Sequence, residues 1–363
     1  MLPRFNAMRL LRRSVLVPLT AVLALVAQVP AHSQELVLSR FQDYLESLRI
    51  QARIPGLSAV LVGRTDIIWE RGFGHQDLER AVLARPDTPY HIDGMMQVLT
   101  APLLLRCVEE GRLSLDDQVR RFLPDSPDSV LTLRQLLTHT SGSPDDPVFF
   151  YRPERLLPLG DAVRRCTERP FSESLASLFD RFAMVDSVPG AEVAALEAST
   201  TAFPTETALE RYRGVLERRA TPYHVDTRGR ATPLRGPDAP LTAAGGVITT
   251  VRDLARFDLA LKADALLRPE TLALAWRPQT NLDGDPLPHA VGWFVQDYTR
   301  GRVVWQYGLS ENGWSSLIMS APQHWITLIL LANSDSLVKP FSMNAGDLLT
   351  SPFGRLFLSS FVR

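Results

Sequence analysis

Apolar side chains at Leu36, Leu38, Phe41, Leu45 and Leu48 recur with the spacing of one helical face, which predicts a helix over residues 36–50. Ile54-Pro55-Gly56 interrupts that pattern. Two strand-like runs follow, 57–62 and 67–71, and the Gly63-Arg64-Thr65-Asp66 stretch between them marks a hairpin. Residues 103–110 form a helix closed by Gly111, and 132–138 form a shorter one ended by Ser141-Gly142. One or two helices are expected in 154–183, one over 254–262 and another over 269–276. Residues 186–240 are rich in proline and polar positions and carry no clear period. From residue 290 the pattern changes: 290–298, 302–307, 315–319 and 325–332 are four successive strands with short turns, followed by a helical stretch from about Pro340. Strands at both ends with helices between them suit a single sheet completed by the C-terminal part, an α+β organisation.

The first residues have a different character. Arg4, Arg9, Arg12 and Arg13 precede a mostly apolar stretch over 15–29, and Ala31-His32-Ser33 places small residues where a signal peptidase reads. Residues 1–33 are therefore expected to be a secretory signal peptide, with a periplasmic or secreted product. The alternative is an uncleaved anchor, although the apolar run is short of the about 20 residues a spanning helix needs. No transmembrane span is expected once the signal is removed.

Across 363 residues the formal net charge is −1, and acids are interleaved with the arginines, so there is no basic stripe of the kind nucleic acid requires. Cys107 and Cys166 both fall in helical stretches and are expected to be buried thiols, with a disulfide as the alternative that export permits. Without clustered histidines they make no zinc site, and no metal or cofactor is expected. Lysines number only two, Lys262 and Lys339. There is no Gly-x-Ser-x-Gly elbow, His-Glu-x-x-His motif or phosphate loop.

A set of short stretches in a fixed order narrows the fold. These are Ile54-Pro55-Gly56-Leu57-Ser58, Trp69-Glu70-Arg71-Gly72-Phe73-Gly74, Val108-Glu109-Glu110-Gly111-Arg112-Leu113-Ser114-Leu115-Asp116-Asp117, Leu136-Leu137-Thr138-His139-Thr140-Ser141-Gly142, Ala243-Ala244-Gly245-Gly246, Val304-Trp305-Gln306-Tyr307-Gly308 and Leu331-Ala332-Asn333-Ser334-Asp335. Together they resemble the β-lactamase-related serine hydrolases, which include class C β-lactamases, penicillin-binding proteins and serine esterases. The resemblance runs through nearly all of residues 36–345. It implies a class C β-lactamase-like architecture: an antiparallel sheet flanked by helices, plus a helical lobe, with a cleft between them. On that layout the sheet part is expected over roughly 34–88 and 236–363, and the helical lobe over roughly 89–235.

The resemblance also implies a chemistry. In that family a serine at a helix start is acylated, and a lysine three residues on takes its proton. A tyrosine in a Tyr-x-Asn motif relays protons, and a Lys-Thr-Gly or His-x-Gly strand holds the carboxylate side of the substrate and offers oxyanion contacts. Counting back from Val108-Glu109-Glu110-Gly111, the serine position here is Gly94 and the lysine position Gln97. A register shifted by one residue would give Met95 and Val98. Neither register supplies a hydroxyl or an amine, and glutamine is no general base near neutral pH. Tyr151 takes the motif tyrosine position with Pro153 where asparagine belongs, Gln306 stands at the lysine-or-histidine position, and Gly308 keeps the strand glycine.

Pro102 is a further departure: inside a helix it deletes one backbone bond, so the helix is expected to start late, near Thr100. Tyr151 is read as a packed aromatic, His91 and His139 as structural, and Gln306 as either a ligand contact or filler. The one other Ser-x-x-Lys match, Ser336-Leu337-Val338-Lys339, runs into Pro340, which disfavours helix at Lys339. The expected protein is an exported pseudoenzyme that holds a peptide, glycan or protein partner in the old cleft. The alternative is an active esterase, D-amino-acid peptidase or β-lactamase with a displaced nucleophile.

Overall fold

The computed structural model describes residues 29–143, 145–191, 204–236 and 238–362. The signal peptide expected over 1–33 lies, up to residue 28, outside the described residues. The chain divides into two compact units, Met1–Tyr44 and Leu45–Arg363. In the first, the described backbone is helical from Val29, the start of helix α1 (Val29–Gln51). Everything that follows belongs to the second unit.

Its centre is a seven-stranded, wholly antiparallel sheet. The strands are β1 (Gly56–Val62), β2 (Ile67–Asp77), β3 (Val82–Leu83), β10 (Phe294–Tyr298), β11 (Gly301–Ser310), β12 (Trp314–Ala321) and β13 (Ile326–Ala332), in the spatial order β10-β11-β12-β13-β1-β2-β3. The last strand lies beside the first, with Ala59 opposite Leu330, so the two ends of the chain close one sheet. Every residue of β1 is buried, as expected of a strand covered on both faces. Helix α7 (Val251–Lys262) packs on β1 and β13, its N-terminus capped by the Thr250 hydroxyl, which accepts from the Asp253 N–H.

Between β3 and β10 lie the short strand β4 (Tyr90–His91) and helices α2 (Gln97–Glu109), α3 (Leu133–Leu137), α4 (Leu159–Thr167), α5 (Phe171–Arg181) and α6 (Glu206–Glu217). β9 (Ile248–Thr249) pairs with β4. Helix α3 begins with a capping box built by Thr132 and Gln135. α2 packs on α4, and α4 on α5. Helices α8 (Pro269–Ala275) and α9 (Pro352–Phe361) both start with proline at the first helical position.

Two expectations are corrected, and one unassigned stretch acquires elements. Cys107 on α2 and Cys166 on α4 are joined by a disulfide and are not buried thiols, because the α2–α4 packing brings their Cα atoms to 6.2 Å, inside bridging range. Pro102 does not delay α2, which begins at Gln97 as a direct continuation of a 3₁₀ turn over Asp93–Met96. Proline deletes one bond to the Val98 carbonyl, but the residues from Gln97 to Leu105 are all buried, and tertiary packing outweighs that loss. The unassigned stretch before residue 240 contains α6 and a small hairpin of β7 (Tyr223–Val225) and β8 (Ala231–Pro233).

Candidate functional site

The site is built where the Asp93–Met96 turn presses against the edge of the sheet. Gly308 on β11 makes this possible: a Cβ there would lie 2.0 Å from the Ile92 carbonyl oxygen, so only glycine admits the approach. The same carbonyl accepts from the Ser316 hydroxyl at 2.9 Å, which fixes the turn to β12. A Cβ on Gly94 would point at the Tyr307 carbonyl oxygen (3.2 Å) and the Tyr151 hydroxyl (3.7 Å). A side chain at 94 would therefore stand between the Tyr151 ring and the β11 backbone. Glycine puts nothing there.

One turn into the protein, Gln97 is fully buried and joins a continuous polar chain. The backbone N–H of Arg152 donates to His139 Nδ1 at 3.1 Å, so the ring proton resides on Nε2 and is donated to Gln97 Oε1 at 2.9 Å. Gln97 Nε2 donates to the Tyr151 hydroxyl at 3.1 Å, and that hydroxyl donates to Gln306 Oε1 at 3.1 Å. Gln306 Oε1 also accepts from the Tyr307 N–H, while its Nε2 donates to His289 Nε2 at 3.1 Å and to the Gly292 carbonyl. Every donor in this series points the same way, from His139 to His289.

The chain is also uncharged. Burial drives the His139 imidazole down to about 3, outweighing the Arg152 backbone contact, with Arg155 adding to the drop. Burial holds His289 well below its ordinary value, and His139 pushes it further. Burial together with Tyr307 raises the Tyr151 phenol far above its usual range. Near neutral pH no member carries a charge.

Tyr151 reaches this position from a feature absent from the sequence reading: a hairpin of β5 (Thr140–Ser143) and β6 (Asp146–Phe149) that carries the chain back past His139. Its ring packs on His139 (4.5 Å between centroids), Phe294 (5.0 Å) and Tyr307 (5.2 Å). Pro153 opens a 3₁₀ turn over Pro153–Leu156, pinned by the Arg155–Asp128 ion pair at 2.6 Å.

Above the polar chain lies an open cleft of about 590 Å³, walled by Gly94, Tyr151, Pro153, Tyr307, Phe341 and Asn344 among others. Its charged lining groups are Asp93, Glu154 and Lys339. Lys339 is held by Asp335 at 2.6 Å, and that contact raises its ammonium above the ordinary lysine value, so it is cationic and no base. The Ser336-to-Lys339 match lies in a 3₁₀ turn over Asp335–Leu337 and does not form a helical nucleophile–base pair. Asp93 also borders an adjoining pocket of about 320 Å³ that contains His91, Arg219 and Asp238.

Gly94, Gln97, Tyr151, Gln306 and Gly308 thus come together, with Pro153 on the rim. Gln306 is fully buried and spends its amide on Tyr151, His289 and backbone. His289 and Asp93 were not singled out from sequence, since neither falls in a motif. Among the described residues no group of three or more His, Cys, Asp or Glu side chains is placed to hold a metal ion.

The sheet, the helical segment between its two halves and the cleft at their meeting define a protein of the β-lactamase/transpeptidase-like fold. The chain belongs to the beta-lactamase family, whose profile matches residues 39–349. It is 33% identical over 102 residues to protein flp of Staphylococcus aureus strain N315, a match covering 26% of this chain and 20% of that protein. It is 23% identical over 306 residues to penicillin-binding protein 4* of Bacillus subtilis strain 168, covering 74% of this chain and 66% of that one. The matches therefore span a fifth and just under two thirds of those relatives. The octameric penicillin-binding protein homologue from Pyrococcus abyssi has the same fold, with a TM-score of 0.69 at 19% identity over 89% of this chain and 77% of that chain.

Proposed function

We propose that this chain is an exported, non-catalytic member of its family that holds a peptide or glycan ligand in the cleft without bonding to it covalently. One observation carries the proposal: the place for an acylated side chain is Gly94, and the groups behind it are a neutral hydrogen-bonded series ending in two uncharged histidines. A serine hydrolase needs a nucleophile and an acceptor for its proton. The Gln97 amide is a poor acceptor at nitrogen, and its oxygen is already engaged by His139. Lys339, the one lysine in the cleft lining, is committed to Asp335 as a cation, which removes it as a base for a displaced nucleophile.

The cleft itself is open and has a volume in the usual range for ligand sites, about 300–1,000 Å³. Met95 and Met96 do not fill it, since both are buried in the core. Export is supported by the basic and apolar pattern of the first residues and by the Cys107–Cys166 disulfide, a bond that persists in oxidising compartments. Among the described residues no helix is long and apolar enough to cross a membrane.

The test is turnover beside binding. Purified protein is given a chromogenic cephalosporin and p-nitrophenyl acetate, and its thermal unfolding is followed with short peptides and chitin oligosaccharides. The expected result is no hydrolysis above a Gly94→Val control and an upward shift in Tm with a ligand. Hydrolysis abolished by Gly94→Val would overturn the proposal.

A further inference from the structure

Asp93 is the one cleft residue whose side chain is not explained by the fold. Its backbone is in the left-handed region at φ 42°, a conformation that glycine adopts freely and most side chains avoid. Its Oδ2 is buried and has no hydrogen-bond partner among the described residues. Burying a carboxylate oxygen without a donor is costly, and native proteins seldom leave such an acceptor unmet. A carboxylate placed there at the cost of backbone strain is a mark of a recognition position.

The charges around Asp93 define what it would recognise. On its own segment stands His91, whose Nε2 lies 3.2 Å from Asp238 and 3.1 Å from Arg219. Arg219 is itself occupied by Asp238 at 2.6 Å. In the cleft, Lys339 is neutralised by Asp335, while Glu154, which also lines it, is exposed and in no described ion pair. The balance in the cleft is therefore negative. Tyr151 and Tyr307 line the same space and carry no charge there. Gln306, at the position that would hold a positive charge against a ligand carboxylate, is neutral and buried.

We infer that Asp93 is the anchor for an ammonium group on the ligand, so that the cleft selects cationic ligands over anionic ones. This rests on the reading of the cleft as a non-covalent binding site and specifies its ligand chemistry. An ammonium supplies several N–H donors and a charge that complements the Asp93 carboxylate. Glutamic acid in place of aspartic acid would not fit the left-handed turn as well, whereas asparagine tolerates it.

The experiment compares benzylamine, benzyl alcohol and benzoate by calorimetric titration at about pH 8, where Asp93 is ionised. The wild type is expected to bind benzylamine about tenfold or more tightly than benzyl alcohol, and benzoate least of all. Asp93→Asn keeps the shape and the permitted φ. It is expected to bring benzylamine down to the benzyl alcohol level while leaving benzyl alcohol unchanged. If Asp93→Asn fails to fold, Asp93→Gly replaces it at the same φ with the same expectation. Equal binding of amine and alcohol by the wild type, no binding of the amine, or an unchanged preference in the variant would overturn the inference. Equal binding would leave the non-covalent cleft standing, whereas that reading fails only on hydrolysis or covalent labelling.

Discussion

Gln97 and Tyr151 are joined by a hydrogen bond of 3.1 Å in which the glutamine amide is the donor. Its direction matters. A base that took a proton in this place would have to offer a lone pair toward Tyr151 and Gly94, and Gln97 instead presents N–H. Its own oxygen is turned the other way, toward His139, whose second nitrogen is used by the Arg152 backbone. The polarity of the chain is set by backbone groups, the Arg152 N–H at His139 and the Tyr307 N–H and Gly292 carbonyl at Gln306, so reversing one link leaves an unmatched donor or acceptor at the next.

On the proposed reading, placing a hydroxyl at residue 94 is not expected to confer acylation. Gly94→Ser is expected to fold, because its Cβ contact with the Tyr307 carbonyl at 3.2 Å needs only a small shift. It is expected to show no acylation by fluorescent penicillin, since no amine replaces Gln97. Gel fluorescence after prolonged incubation checks this, and a labelled band that survives denaturation would contradict it.

Breaking the polar chain will cost stability in proportion to the charge introduced. Gln97→Met orphans the His139 Nε2–H and is expected to lose about 1–3 kcal/mol. Gln97→Lys places an ammonium against that same donor in a fully buried position and is expected to lose more, about 3–5 kcal/mol. Urea unfolding of the two variants gives the order. A lysine variant as stable as wild type would mean that the pocket still accepts a cation there.

Asp93 will make stability depend on pH in a predictable direction. Burial raises its carboxyl from the ordinary 3.8 to about 6, against the opposing field of His91. The folded protein therefore binds a proton that the unfolded chain has released between those values, and ionisation of the folded form is a penalty that grows through that window and is complete above about pH 6. Asp93→Asn removes the penalty. It is expected to be more stable than wild type by about 1–3 kcal/mol at pH 8 and by almost nothing at pH 4, measured by denaturant unfolding at both. A difference that is the same at the two values would contradict this origin.

The Cys107–Cys166 bridge closes a loop across a sequence separation of 59 residues. Replacing both by alanine is expected to cost about 2–4 kcal/mol. Intact mass with and without a reductant, using a thiol-blocking reagent, checks that the bond exists. Two alkylated cysteines in the unreduced, denatured protein would contradict it.

Much of the fold was legible because its elements obey simple periods. The strands near residues 57–62, 67–71 and 290–332 alternate or run apolar between turn residues, and the structure places β1, β2 and β10–β13 there. The helix at residue 103 was placed six residues late, because Pro102 carries a local penalty and the compensating burial of Gln97 through Leu105 is a tertiary fact. The β5–β6 hairpin was missed since Thr140-Ser141-Gly142-Ser143 and Asp146-Pro147-Val148-Phe149 show no clear alternation. In the site, Gly94, Gln97, Tyr151, Gln306 and Gly308 could be found from ordered motifs. His289 could not: it comes from a loop before β10 and meets Gln306 only through sheet closure. Asp93 was visible as a residue, but its importance depends on a positive φ and an unmet oxygen, neither of which a one-dimensional pattern contains.

The most direct test of the central claim is intact-mass spectrometry of the purified protein during exposure to a fluorescent penicillin and to a fluorophosphonate. The account predicts a single unmodified mass throughout, because no side chain projects from residue 94 and the neutral Gln97 amide stands behind it. A stable mass increase equal to either reagent, mapped to a serine lining the cleft, would contradict it.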